Sequence, residues 1–583
     1  MSAYDLIALI GGLALFLFGM NVMGNALEKR AGSSLKNILG RLTSNKFKGF
    51  LLGLGITAVI QSSSATTVMV VGFVNSGLMK LSQAIGVIMG ANLGTSVTSW
   101  ILSLTGVQGD SFVVNLFKPT TFTPIIAFIG ILIYMFSKNT KKKDTATVLL
   151  GFAVLMFGME AMSDAVKPLA ESEAFQKSLT LFSNPILGVV MGMVVTAVVQ
   201  SSSASVGILQ ALSMTGSVTY MTAIPIIMGQ NIGTCVSALI SSMGATKNAK
   251  RAAFVHLYFN VIATVILLPV FYLVEHFADI PIIQTAANPL GIAVVHTVFK
   301  LLALAILMPL TNLLEKLACL TVKDNGKNEG VSHLLDERLL NTPAVAVEQS
   351  RTVSLSMAQV TLHTLKNAFD MLEHFDGKIA ETVREGEAEA DMYEDTIGGY
   401  LVKLSMRSLT DEDSREVSKQ LHVIGDLERI SDHALNILEA AEELKDKKMT
   451  FSGEAKNEMR TMINATIEVA DLAISSLTEN NVEKAALVEP LEQVIDDLKT
   501  TLKNNHIERL RKKGCTIEQG FVFNDLVTNI ERISDHCSNI AVCVIETAHD
   551  RFDMHEYLNS IKNGSEVFNR NYESFREKYA INE

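Results

Sequence analysis

Residues 53–67 (GLGITAVIQSSSATT) recur without a gap as residues 192–206 (GMVVTAVVQSSSASV), with nine identities in fifteen positions. Residues 84–98 (AIGVIMGANLGTSVT) recur at the same offset of 139 as residues 223–237 (AIPIIMGQNIGTCVS), again with nine identities in fifteen, and Phe18-Gly19-Met20 maps onto Phe157-Gly158-Met159. A duplication of this kind constrains the fold more than any local propensity does. Two copies of one unit must build equivalent substructures that pack against each other.

What the copies are made of decides where they fold. Residues 1–320 carry 19 Lys and Arg against 11 Asp and Glu, whereas the rest of the 583-residue chain carries 30 and 49. The net charge of −11 therefore divides into +8 and −19. The first part contains apolar runs long enough for a bilayer, which takes about 20 helical residues; the second contains none. The mean hydropathy of +0.30 averages two unlike halves. The chain reads as all-α, a polytopic membrane domain at 1–320, a linker at 321–345, a soluble helical domain at 346–550 and a tail at 551–583. An acidic soluble half offers no footprint for nucleic acid. Five cysteines without paired spacing exclude a disulfide scaffold. The apolar stretch from Leu6 to Val22 lacks a basic leader and a cleavage site, so it reads as a first span.

Spans are expected near 5–27, 82–104, 120–137, 145–166, 218–243, 252–275 and 289–312. The segments 48–79 and 185–215 carry Gln-Ser-Ser-Ser at their middles, which suits hairpins that enter and leave on one side. The basic loops 29–48, 138–144 and 245–251 then share a side, the cytoplasmic one by the positive-inside rule. Three crossings separate the copies (about 5–137 and 145–275), so the second is inverted, the N-terminus is outside and the soluble domain is cytoplasmic. Inverted repeats with interrupted helices mark secondary transporters whose site lies between the copies.

Each copy supplies hydroxyls and an amide at a helix break, followed by Asn-x-Gly-Thr (Asn92 to Thr95 and Asn231 to Thr234). Helix N-termini and hydroxyls suit an oxyanion, and freed carbonyls with Ser, Thr and Gln oxygens suit a hard cation. The windows 49–79, 82–109, 185–215 and 219–246 contain no Asp, Glu, Lys or Arg. An anion bound at the breaks thus lacks a local cationic side chain, which implies co-bound cations, sodium rather than protons because no acid lies in the windows. Small-residue helix packing is the bland alternative for a single Ser-rich turn, but not for two inverted copies of it. No G-x-S-x-G elbow accompanies these serines, so an enzyme is not expected.

The paired QSSS motifs, the trailing N-x-G-T and the run from Arg251 to Asn260 (RAAFVHLYFN) resemble the bacterial branch of the type II sodium/phosphate cotransporter family. The resemblance implies inorganic phosphate as substrate and Na⁺ as coupling ion. It places Gln61, Ser62, Ser63, Ser64 and Thr66, with Gln200, Ser201, Ser202 and Ser203, at the site, and adds Asn92, Thr95, Thr98, Asn231, Thr234 and Ser237 around substrate and sodium. Electrogenic animal members carry an Asp after the His of an H-x-x-F-N motif in the first repeat. Here the position matching His256 is Phe117, followed by Lys118, so the stoichiometry stays open. His256 itself reads as a packed helical histidine.

The soluble half reads as long amphipathic helices near 346–374, 378–407, 411–446, 453–478, 482–512 and 516–549. A second duplication runs through it: Leu427-Glu428-Arg429-Ile430-Ser431-Asp432-His433 recurs 103 residues later as Ile530-Glu531-Arg532-Ile533-Ser534-Asp535-His536. Two tandem three-helix units follow. Carboxylates at i and i+4 repel unless something neutralises them. A divalent or trivalent metal would do so, with help from Asp391, Glu394, Asp496 or Asp497; Arg429, Arg532 or solvent would serve equally. The pattern resembles PhoU, the helical phosphate-signalling protein, which implies metal near Glu428, Asp432, Glu531 and Asp535. The reading is a sodium-coupled phosphate symporter of the cell membrane with a fused PhoU-like regulator, and a homodimer and a phosphate-signalling partner are open expectations. A membrane-anchored phosphate sensor and a carrier of a related oxyanion are the alternatives.

Overall fold

A computed structural model describes residues 3–39, 46–76, 79–107, 118–168, 184–278, 280–323, 335–512, 514–548 and 566–581. Phe117 and most of the loops 105–118 and 164–184 lie outside these residues. The chain divides into two compact units, Met1–Val345 and Ala346–Glu583.

The first unit comprises α1 (Ala3–Leu39), α2 (Lys46–Ile60), α3 (Ser63–Asn75), α4 (Leu81–Ser103), α5 (Pro119–Phe136), α6 (Thr140–Val166), α7 (Pro185–Val199), α8 (Ser202–Ser213), α9 (Tyr220–Gly233), α10 (Cys235–Ser241), α11 (Lys247–Ala278), α12 (Pro289–Leu307) and α13 (Thr311–Thr321). Among the described residues, seven stretches are long and apolar enough to cross a membrane: Tyr4–Arg30, Leu81–Gly106, Pro119–Phe136, Thr140–Val166, Tyr220–Ser241, Lys247–Ala278 and Pro289–Leu307. Each coincides with an expected span. The helices flanking the QSSS motifs are different. With 12 to 15 residues each, they measure roughly 18–23 Å at 1.5 Å per residue, short of the roughly 30 Å hydrocarbon core.

The duplication is visible in the packing. α1 and α6 cross with their backbones in contact, because glycine stands wherever a Cβ would collide. Gly12 faces Gly158, and Gly19 faces Gly151. The 139-residue offset turns Gly12 into Gly151 and Gly19 into Gly158, so each glycine meets the counterpart of the other. These reciprocal contacts run antiparallel, one helix rising as the other falls. Phe16, Leu102, Met156, Met159 and Met162 pack around the crossing and are fully buried or nearly so. The same equivalence holds farther out. Gly53 meets the backbone of Val87, and Gly192 that of Ile226; Gly90 meets Phe50, and Gly229 meets Val189.

Part of the stretch read as a linker is buried in this unit. Leu335, Leu339, Leu340 and Thr342 are all under 10% exposed, and Leu339 lies against Gly72 of α3, where any side chain would displace it.

The second unit comprises α14 (Pro343–Glu373, whose first turn belongs to the first unit), α15 (Gly377–Ser405), α16 (Asp411–Asp446), α17 (Gly453–Glu479), the single turn α18 (Val482–Ala485), α19 (Val488–Arg511), α20 (Ile517–Ala548) and α21 (Glu566–Lys578). Leu427, Ile430, Ala434, Ile437 and Leu438 are buried at helical spacing, as are Phe523, Leu526, Ile530 and Ile533. The 103-residue duplication packs reciprocally too. His433 Nδ1 lies 2.9 Å from Asn529 Oδ1, His536 Nδ1 lies 2.9 Å from Asp426 Oδ1, and the two rings stack at 5.7 Å. The tail contributes α21, which docks through Tyr572 to Asp497 at 2.5 Å and Lys578 to Glu468 at 2.6 Å.

Candidate functional site

The two QSSS motifs take one backbone form. Gln61 (φ 60°) and Gln200 (φ 54°) sit in the left-handed region, a conformation that costs a residue with a Cβ roughly 1–2 kcal/mol. Each ends its helix, with its N–H donating to the carbonyl of Thr57 or Thr196 at 2.8 Å. The following serine then caps a new helix: Ser62 Oγ accepts from Ala65 N at 3.1 Å, and Ser201 Oγ from Ala204 N at 3.2 Å. The chain folds back at each break. Thr57 and Thr66 hydroxyls meet at 3.0 Å, and those of Thr196 and Ser205 at 2.8 Å, although nine residues of straight helix would span about 13 Å.

Both breaks face one cavity of about 380 Å³. It is lined by Gln61, Ser62, Ser63 and Ser64 from one copy and Gln200, Ser201, Ser202 and Ser203 from the other, with Asn21, Asn25 and Glu28 of α1 and Asn341. The first turns of α3 and α8 carry backbone N–H groups that have no partner within a helix, and the dipoles of both helices end there with positive sign. No Lys or Arg lines the cavity among the described residues. An oxyanion therefore finds amide and hydroxyl donors here but no full positive charge.

The remaining predicted residues support the breaks more than they line the cavity. Asn92 and Asn231 donate to the carbonyls of Ile88 (3.3 Å) and Ile227 (2.8 Å), and Thr95 and Thr234 to those of Ala91 (3.2 Å) and Gln230 (2.9 Å), each on its own helix. Thr98 Oγ1 is buried without a partner. Ser237 is the exception, because its hydroxyl reaches Ser64 across the two copies at 3.3 Å. His256 is packed inside α11, 1% exposed, as a helical core histidine would be.

Two residues escaped a reading confined to the motif windows. Lys300 of α12 is 4% exposed and donates to the Asn92 carbonyl at 2.6 Å, so a distant span brings an ammonium beside the first N-x-G-T. Its signal is a lone lysine inside an otherwise uncharged 19-residue apolar helix. Glu28 brings a carboxylate into the cavity itself. It stands beside Lys29 and Arg30 in the sequence, where it passes for part of a loop.

The expected metal centre in the second unit is not supported. Among the described residues, no three His, Cys, Asp or Glu side chains converge as ligands. The reason is visible in the second copy, where Lys499 pairs with Glu531 at 2.6 Å and Arg532 with Asp535 at 3.7 Å. The first copy lacks such a lysine. There, burial and then the charges of Asp432 and Glu394 push the Glu428 carboxyl up to about 7. Asp535 is also raised, by burial first and then by Glu531 and Asp496. Lys499 and Arg532 thus offset part of the like charge in the second copy.

The Na⁺/Pi-cotransporter family model matches residues 15–164 and 154–278, each holding one QSSS break, and the PhoU domain model matches residues 355–441 and 459–544. Residues 15–278 belong to the Na⁺/Pi-cotransporter family, and a pair of PhoU domains follows. The protein is a multi-pass membrane protein of a transporter family and not an enzyme. A Salmonella typhimurium protein, YjbB, provisionally named for inorganic phosphate export, is 22% identical over 95% of this chain and 99% of its own length. The PhoU homolog 1 of Thermotoga maritima, a phosphate-specific transport accessory protein, is 27% identical over 35% of this chain and 87% of its own. Rat sodium-dependent phosphate transport protein 2A is 38% identical over a shorter stretch, 16% of this chain and 15% of its own.

Proposed function

We propose that this family member is a sodium-coupled inorganic phosphate symporter regulated by its PhoU pair. The observation that carries the reading is the single cavity shared by both QSSS breaks. Two helix N-termini and six serines offer phosphate its hydrogen bonds, and co-bound sodium supplies the charge that the lining lacks. Gln61 and Gln200 turn the chain and line the site; Asn92, Thr95, Thr98, Asn231, Thr234 and Ser237 hold the helices behind it and complete the sodium sites. The reciprocal glycine contacts of α1 and α6 support inverted repeats, and rocking of one copy against the other would expose the cavity to either side in turn. The PhoU pair lies in the cytoplasm, on the side of the basic loops.

Direction is set by the gradients of the coupled ions, and the same cavity run outward exports phosphate. The full-length resemblance to YjbB favours that as the second reading.

The test is ³²P-phosphate flux in proteoliposomes under an imposed sodium gradient, with potassium replacing sodium as control. Sodium-dependent uptake that vanishes in Gln61→Ala with Gln200→Ala supports the symporter and the site. Phosphate binding without sodium-dependent flux in either direction overturns it in favour of a sensor.

A further inference from the structure

The cavity contains more oxygen than an oxyanion can use. Glu28 Oε1, Gln61 Oε1 and Ser63 Oγ are all buried without a hydrogen-bond partner, and all three residues line this one space. A phosphate offers the first two little, because a carboxylate oxygen and an amide oxygen only accept, and the Glu28 carboxylate repels any anion that enters, whereas the Ser63 hydroxyl can serve either ion. The basic neighbours of Glu28 do not relieve it. Lys29 turns to Asp144 at 3.8 Å, and Arg30 donates to the Lys141 carbonyl at 3.0 Å. The Thr342 side chain hydrogen-bonds the carboxylate and so holds it in place, but a hydroxyl brings no charge.

We propose that Glu28 is the anionic ligand of a coupling sodium ion in this cavity, completed by the orphan oxygens of Gln61 and Ser63. A carboxylate, an amide oxygen and a hydroxyl form the hard oxygen set that a hard cation takes. The ion changes the sign of what phosphate meets. With sodium absent, the cavity presents a bare carboxylate to a multiply charged anion; with sodium bound, the carboxylate is neutralised and the helix N-termini dominate. Sodium and phosphate then strengthen each other's binding by the same factor, which is the thermodynamic content of coupling. This assignment rests on the sodium-coupled reading above and names an α1 residue, outside both repeated motifs, as part of it. Thr342, on the segment leading to the PhoU pair, hydrogen-bonds the carboxylate, so displacing that segment would loosen the sodium ligand.

The experiment measures ²²Na⁺ and ³²P-phosphate fluxes together in proteoliposomes of wild type, Glu28→Gln and Glu28→Asp. Glu28→Gln is expected to carry one sodium fewer per phosphate and to need at least about tenfold more sodium for half-maximal flux, the effect of losing roughly 1.4 kcal/mol or more of ion binding. Glu28→Asp keeps the stoichiometry with a several-fold weaker sodium response. Should Glu28→Gln be inert, equilibrium ²²Na⁺ binding to the purified protein with phosphate present decides: one site fewer than wild type supports the assignment, and an equal number overturns it. A sodium-coupled wild type whose ratio and sodium response survive both substitutions sinks Glu28 alone. A wild type with no sodium dependence sinks the symporter reading itself, and Glu28 with it.

Discussion

Ser64 Oγ of the first QSSS break and Ser237 Oγ, six residues beyond Asn231 of the other copy's motif, are 3.3 Å apart, a hydroxyl contact that ties the two copies at the cavity's edge. Ser237 also donates to the Thr234 carbonyl at 3.0 Å. A contact between elements that must move apart in transport is expected to be felt in the rate. Ser64→Ala and Ser237→Ala should each slow phosphate flux, and the double variant should be slower by less than the product of the two. A coupling of roughly 0.5–1 kcal/mol in a double-mutant cycle is the expected size, and strict additivity would show that the hydroxyls do not act as a pair.

The left-handed glutamines separate backbone from side chain. Glycine adopts their φ without strain, whereas a β-branched residue does not. Gln200→Gly should keep thermal stability and lose flux; Gln200→Val should lose about 1–2 kcal/mol of stability as well. Thermal melts in detergent beside flux assays check both, and equal stability of the two variants would contradict the strain argument.

At the α1 and α6 crossing, Gly19 has no room for a Cβ, which would fall on the backbone of Leu155 and 2.7 Å from the Gly151 carbonyl oxygen. Gly11, on the same helix, has nothing within 4 Å. Gly19→Ala should therefore cost several °C of melting temperature or folded yield, on the scale of about 1–3 kcal/mol for overpacking, while Gly11→Ala should be neutral or slightly stabilising. Size-exclusion profiles of the two variants, purified side by side, give the comparison.

Glu428 makes the second unit sensitive to pH. Its carboxyl is raised from 4.5 to about 7, first by burial and then by Asp432 and Glu394. Between those values the folded state holds a proton that the unfolded state has released, so this group's contribution to stability is greatest below about 4.5 and is lost as pH rises through about 7. Glu428→Gln removes that slope. Melting curves at about pH 5 and pH 8 should differ less in the variant than in wild type, with the gain in stability appearing at the higher pH.

Much of the architecture is legible before folding is considered. Seven spans, two QSSS interruptions and six long soluble helices follow from apolar run length, the 139- and 103-residue offsets and helical spacing, all of which are local or comparative properties of the chain. The metal expectation finds no support among the described residues, for a reason of the opposite kind. Spacing puts Glu531 and Asp535 on one face, yet it cannot reveal that Lys499, on another helix, reaches Glu531 first.

The sequence by itself determined that the chain is two duplicated helical assemblies, one apolar and one acidic, and that each membrane copy breaks at Gln-Ser-Ser-Ser. Tertiary structure decided what those breaks enclose. Charge counted within motif windows is blind to side chains carried in from far along the chain, and both Lys300, which reaches the Asn92 carbonyl, and Glu28, which enters the cavity, arrive that way. Electrostatics acts through space over a few ångströms in a medium of low dielectric constant, so the sign of the field at a buried site is a property of the fold and not of the motif.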